Sequence, residues 1–155
     1  LYARDPSCYR YLSVFIPSSP LVEERIFEYA RNPDFAHFVT QKLIPLLQKP
    51  IALGGLFGCT ADRNQIGIGG VSLGAFCSVY IALKHPELFS KVLAQSASFW
   101  WYEGWEFGSK PDPKLEQLDW LNSKEFPTYA PHHSIIFYLH ASKVEQGFEG
   151  YPSFV

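Results

Sequence analysis

Residues 70–74 read Gly-Val-Ser-Leu-Gly, a Gly-x-Ser-x-Gly spacing with Ser72 at its centre. A serine hydroxyl in this setting can attack an acyl carbonyl, provided it stands on a tight strand-to-helix turn. On such a turn the backbone is strained and Oγ stands clear of the sheet. Side chains two residues to either side would collide there, and Gly70 and Gly74 remove them. The N–H of Leu73, at the helix start, would point at the developing oxyanion. Close packing of a helix on a strand explains the same glycines without chemistry, and the five-residue pattern alone is a weak signal. Its surroundings sharpen it. Ile66 and Ile68 share one face of a short strand before it, and residues 73–84 read as a helix after it, ended by Pro86.

A serine nucleophile needs a base for its proton and a carboxylate to orient that base. On a strand–turn–helix scaffold of this kind the chain order is serine, acid, histidine. None of the five histidines is identifiable as the base. His37 precedes the motif, and His85 lies at the far end of the helix that follows Ser72. His132 and His133 precede the strand at 134 and belong at the opposite end of a parallel sheet. His140 ends that strand on the correct side, yet leaves little chain for an acid between. For the acid, the segment LHASKVEQGFEG offers Glu145, with Glu149 behind it. A solvated loop glutamate is the plain alternative.

The elements that must position these groups are legible in outline. Residues 10–20, RYLSVFIPSSP, read as a strand ending at Pro17 and a turn. Asn32-Pro33-Asp34 marks a helix start, with Asn32 as cap and Pro33 at the first helical position. Phe35, Phe38, Val39, Leu43, Leu46 and Leu47 continue it at helical spacing, and Pro45 should kink or shorten it. Residues 50–63 read as a glycine-rich loop or a short extended piece. KVLAQSAS (91–98) reads as a strand, residues 99–114 as irregular and aromatic, KLEQLDWL as a short helix. SIIFYLHA (134–141) has the composition of a buried strand, and GYPSFV could begin one more. The alternation predicts an α/β fold with a largely parallel sheet.

Bulk properties narrow the function classes. The 155 residues suit a single domain. The charged fraction is 18% and the hydrophobic fraction 47%, so a packed core is expected. A net charge of −2 gives no electrostatic case for nucleic acid or an anionic membrane surface. No run reaches the roughly 18 apolar residues of a membrane span. The first ten residues hold no apolar stretch of signal-peptide length. Cys8, Cys59 and Cys77 form no spaced pair or metal-ligand cluster, and Cys77 is expected to be buried on the helix after Ser72. Neither a metal nor an organic cofactor is implied. The compartment stays open.

Beyond these physical readings, IGIGGVSLGAFCSVYIALKHPELFSKVLAQSASFWW resembles the core of the esterase D-like branch of the α/β-hydrolases. It is most similar to the enterochelin (siderophore) esterases, which read G-x-S-x-G-G, a helix, H/W-P-E-x-F, then V-L-S-Q-S-G-S-F-W-W. The matching residues are Gly70, Ser72, Gly74, His85-Pro86-Glu87, Phe89 and the run Val92 to Trp101. Ala75 and Ala97 stand where the family has glycine. Upstream, Arg25, Glu28 and Tyr29 match an R-x-x-E-[LY] segment. SIIFYLHASKVEQG resembles the strand leading to G-x-x-E, with Ser142 in the glycine's place and Glu145 at the acid.

The resemblance implies an α/β-hydrolase fold and a serine carboxylester hydrolase acting on a small-molecule ester, an aryl or catecholate ester among the options. Ser72 would be the nucleophile, Leu73 an oxyanion donor, and Glu145 the acid. Trp100 and Trp101 would border the mouth of the site and stack on aryl rings, and Arg25 would clamp an anionic or catecholate group. Loop packing and a surface ion pair are the plain readings of these last three. Arg63 reads as structural. The family is longer: it carries two further strands and an oxyanion-hole loop where this chain passes from Pro20 to Leu21, and a G-G-H motif after its last strand. Segments are therefore expected to be missing near residue 20 and after residue 155, along with an N-terminus that begins with Met. Acyl transfer, thioester hydrolysis and a non-catalytic hydrolase-like domain are the alternatives.

Overall fold

The computed structural model describes residues 11–99 and 133–141. The expected helix KLEQLDWL, the expected last strand, Cys8, His132, Trp100, Trp101 and Glu145 lie outside the described residues.

The element order is α1 (Val22–Tyr29), α2 (Pro33–His37), a π-helical turn (Phe38–Leu43), α3 (Ile44–Gln48), β1 (Gly67–Val71), α4 (Leu73–Lys84), β2 (Lys91–Gln95) and β3 (Ile136–His140). Two short 3-10 turns, Ile51–Leu53 and Arg63–Gln65, punctuate the connection from α3 to β1. The three strands form one sheet in the order β1-β2-β3, both pairs parallel. This is the expected α/β architecture, with a crossover helix between β1 and β2.

Local chemistry accounts for the helices. Asn32 Oδ1 accepts from the N–H groups of Asp34 (2.8 Å) and Phe35 (3.2 Å), and Pro33 follows at the first helical position. Both satisfy or remove donors that a helix start leaves orphaned. Pro45 lies within the helix, which ends three residues later at Gln48. It lacks the N–H that would bond four residues back, and its ring crowds that turn. The backbone widens into the π turn just upstream instead, and Ile44 N–H donates to Val39 O, five residues back. Helix α1 is an addition to the sequence reading. Its acidic pair Glu23 and Glu24 falls in the first turn, favourable against the helix dipole, and its buried residue is Tyr29.

Helix α4 is apolar nearly all round, as a helix covered on several sides must be. Residues 75–83 are all buried, with Phe76 and Ile81 among the fully buried side chains. Each large apolar side chain contributes roughly 1.5–3 kcal/mol by leaving water. The sheet lies on one side of α4, where Val92 and Ala94 of β2 are buried, and α1 packs on another. The helix stops at Lys84 because Pro86 disfavours helical dihedrals at His85, whose φ of −130° and ψ of 57° leave the helical region. Cys77 sits in this core as expected, and burial pushes its thiol up to about 12, so it stays protonated and inert at neutral pH.

Two strand expectations are corrected. Residues 11–18 carry no strand. A strand needs a neighbour's backbone to receive its N–H and C=O groups, and no described strand pairs with this segment. Tyr11 and Phe15 are nearly fully exposed, and the hydroxyl of Tyr29 donates to Ile16 O at 3.4 Å. Strand β3 forms, but it is exposed throughout rather than buried: among the described residues it is an edge strand paired with β2, and no described element covers its faces. Leu93 of β2, opposite Tyr138, and Val71 of β1, on the sheet face away from α4, are exposed as well.

Arg63 holds the N-terminal ends of the strands, in line with the structural role expected for it. Asp62 caps the short turn, accepting from Asn64 N–H at 3.0 Å and from Gln65 Nε2 at 3.1 Å. The guanidinium then donates to Pro86 O (2.9 Å), Phe89 O (2.8 Å) and Ser134 O (2.9 Å). It ties the end of α4 to the starts of β2 and β3. A lysine cannot reproduce this fork. Arg63→Lys is expected to cost about 2–3 kcal/mol in urea denaturation, with Arg63→Ala no less. A loss under about 0.5 kcal/mol would show that the three bonds are exchanged for water without penalty.

Candidate active site

Ser72 is the single residue between the end of β1 and the start of α4. Its φ of 55° and ψ of −122° lie in a region that L-residues avoid. Holding a non-glycine residue there costs of the order of 1–3 kcal/mol, and such strain persists only when the surroundings over-determine it. Here they do. Ser72 N–H donates to Gln95 O of β2 at 2.9 Å. Ser72 O accepts from Ala75 and Phe76 N–H at 3.1 and 3.2 Å in the first turn of α4, and from Ser98 N–H at 3.1 Å. The residue is exposed, while Ala75 two positions into the helix is fully buried.

The two motif glycines turn out to be unequal. A Cβ on Gly70 would stand 2.5 Å from Gly74 C, 2.6 Å from Gly74 O and 2.9 Å from Ala75 N. The elbow therefore closes only if position 70 has no side chain. A Cβ on Gly74 would meet nothing within 4 Å. The expectation that both glycines relieve a clash holds for Gly70 and is corrected for Gly74, since the helix start turns its second residue into open space.

Leu73 opens α4, so helix geometry leaves its N–H without an intrahelical acceptor, beside the Ser72 hydroxyl. That hydroxyl has one described side-chain partner, the Oγ of Ser98 at 3.0 Å. Ser98 is 2% exposed. Sequence reasoning assigned it no role, although it stands in the run VLAQSASFWW that carries the family resemblance.

The other sequence candidates separate from Ser72 or fall outside the described residues. Arg25 is half-buried on α1, and no hydrogen bond or ion pair links its side chain to Ser72 or Ser98 among the described residues. His85 pairs with Glu87 at 3.1 Å at the far end of α4, and a twelve-residue helix is about 18 Å long. His133 precedes β3, at the opposite end of the sheet from Ser72. His140 ends β3 on the same side as Ser72, opposite Gln95, which is opposite Val71. Two strand spacings, about 9–10 Å, therefore lie between the backbones of His140 and Val71. No described histidine bonds to Ser72. Among the described residues no group of three metal-ligating side chains occurs, and no helix is long and apolar enough to cross a membrane.

A parallel sheet with a strained, exposed serine between a strand and the helix that crosses over it is the geometry of the α/β-hydrolase class. The family described as "Putative esterase" matches residues 20–141, and the chain belongs to that family. Among characterised proteins it is similar to the iron(III) enterobactin esterase of Escherichia coli K12, 42% identical over 77 residues, which are 50% of this chain and 18% of that protein. The enzyme of the same name from E. coli strain CFT073 is 38% identical over 96 residues, 61% of this chain and 22% of its own length. In three dimensions the chain resembles the enterobactin esterase FES from Shigella flexneri, solved in the presence of enterobactin, with a TM-score of 0.55 and 25% identity. That match covers 76% of this chain and 26% of the other. The same enzyme with 2,3-dihydroxy-N-benzoyl-serine gives a TM-score of 0.54 at 26% identity. The chain thus spans about a fifth to a quarter of the length of these relatives.

Proposed function

We propose that the protein is a serine carboxylester hydrolase with Ser72 as its nucleophile, acting on an aryl or catecholate ester of the siderophore type. The observation that supports this best is the backbone of Ser72 itself. An exposed residue held at φ 55° and ψ −122° by four backbone hydrogen bonds is strain maintained for a purpose.

In the reaction, Ser72 Oγ attacks the ester carbonyl as its proton passes to a base. The carbonyl oxygen takes the negative charge, and the Leu73 N–H at the helix start donates to it. The C–O bond to the leaving alcohol then breaks, and the base returns its proton to that oxygen. Water repeats the sequence on the acyl-enzyme and frees the carboxylate. The base would be a histidine, which none of the five in this sequence is identified as, and we assign Glu145 as the carboxylate that orients it. Trp100 and Trp101 follow directly on Phe99, which packs edge-on against Phe76 of α4 with ring centroids 6.3 Å apart. By resemblance to the family, their rings would stack on the aryl rings of a catecholate. Arg25 is assigned the anionic edge of the substrate on resemblance to the family.

Similarity to an enterobactin esterase solved with enterobactin and with 2,3-dihydroxy-N-benzoyl-serine favours a catecholate trilactone over a simple acyl ester. A fluorophosphonate probe should label the protein at Ser72, identified by peptide mapping, and label Ser72→Ala not at all. Turnover of a catecholate trilactone should exceed that of p-nitrophenyl esters in kcat/KM. Absence of labelling in the native protein would favour a non-catalytic hydrolase-like domain.

A further inference from the structure

We infer that Ser98 is a positioning residue for the Ser72 hydroxyl: it holds Oγ in its attacking rotamer and donates a hydrogen bond to it as the proton leaves. This inference rests on the reading of Ser72 as nucleophile and adds a residue to that site.

The geometry is specific. Ser98 Oγ lies 3.0 Å from Ser72 Oγ, across 26 residues of chain. Its backbone N–H donates to Ser72 O at 3.1 Å, so the same residue grips the elbow by main chain and side chain together. Ser98 is itself held rigidly. Two residues earlier, Ser96 N–H donates to His140 O at the end of β3, and Gln95 O accepts from Ser72 N–H. On the other side Ala97 and Phe99 pack against the hydrophobic core, Phe99 edge-on to Phe76. The segment from Gln95 to Phe99 is thus clamped between the elbow, β3 and α4, and a hydroxyl carried on it has a fixed position.

Burial explains why that hydroxyl is polar. Ser98 is 2% exposed, where alanine would pack as well, and a buried hydroxyl without a partner is costly. Its described side-chain partner is the Oγ of Ser72. A serine hydroxyl offers one donor and two acceptor lone pairs, and its proton swings between them without moving a heavy atom. In the resting state Ser98 can accept from Ser72. Once a base takes the Ser72 proton, Ser98 turns its own O–H toward the same oxygen and remains bonded to the more negative nucleophile. No proton is consumed, and no bond other than the hydrogen bond changes. A freely rotating Ser72 side chain would sample three rotamers; the bond to Ser98 selects one.

The test compares native protein, Ser98→Ala and Ser98→Thr in the rate of fluorophosphonate inactivation, measured across pH. Ser98→Ala should lower the limiting inactivation rate by roughly 10- to 100-fold, the scale on which a misplaced reacting atom acts. Its half-saturating probe concentration and the midpoint of its pH profile should not move, because Ser98 neither binds the probe nor titrates. Its melting temperature should stay within about 5 °C of the native value, the shift expected for one lost hydrogen bond in a chain of this size. Ser98→Thr keeps the hydroxyl and should recover most of the rate. A native rate in Ser98→Ala overturns the inference. So does an equal loss in a folded Ser98→Thr, which would make Ser98 a packing residue. If the native protein is labelled at a residue other than Ser72, or not at all, the reading of Ser72 fails first and this inference with it.

Discussion

Ser72→Ala is expected to lower ester turnover by on the order of 10⁴-fold or more, the scale on which a hydrolase loses activity with its nucleophile. The more informative comparison is with Ser72→Gly. Both variants lack Oγ, both lose the bond to Ser98, and both should be inactive. They differ in how they bear a φ of 55° with a ψ of −122°. Alanine keeps a Cβ and the strain, of the order of 1–3 kcal/mol. Glycine is at home there, but gives back roughly 0.5–1 kcal/mol through the greater freedom of its unfolded chain. Ser72→Gly should therefore be the more stable of the two by about 1 kcal/mol, or about 2–4 °C in melting temperature. This reverses the usual order, in which alanine stabilises. If the alanine variant melts higher, the elbow is not strained and the main support for Ser72 as nucleophile goes with it.

The second large effect concerns Gly70. A methyl group there would lie 2.5 Å from the Gly74 carbonyl carbon and 2.6 Å from its oxygen, and both are backbone atoms that cannot swing aside. Gly70→Ala must push α4 away from β1 or open the elbow. The buried face of α4 packs against the sheet through Phe76, Val92 and Ala94, among others, so the displacement would be felt through the core. We expect a loss of about 3 kcal/mol or more, read by urea unfolding, with turnover lost in whatever remains folded. Gly74→Ala is the control. Its Cβ enters open space within a helix, where alanine is favoured over glycine by up to about 1 kcal/mol. It should be neutral or stabilising. Equal destabilisation by the two substitutions would show that the packing of α4 on β1 differs from that described above.

Much of the site's scaffold was legible in the chain. The strand–serine–helix succession around residue 72, the cap at Asn32 and the stop before Pro86 all follow from interactions between residues a few positions apart, and the burial of Cys77 from the apolar composition of its helix. Local patterns suffice where the hydrogen bonds are local. The segment at 11–18 was read as a strand from the same kind of pattern and is not one. Strands depend on a partner that the pattern does not contain, and the alternation of apolar residues cannot supply it. The burial assigned to β3 failed for the same reason, since a composition suited to a covered strand does not show what covers it.

By itself, then, the amino-acid sequence determined the class of fold, the element that carries Ser72 and the family to which the chain belongs. The tertiary structure alone decided three things. Gly70 is sterically obligatory and Gly74 is not, because only the former's side chain would point back at the helix start. Arg63 bridges three carbonyls that belong to two separate stretches of chain, the connection from α4 to β2 and the start of β3. And Ser98, 26 residues downstream, meets Ser72 at hydrogen-bond distance. The last two are contacts between segments far apart in sequence, and the parallel pairing of β1, β2 and β3 is what brings them together.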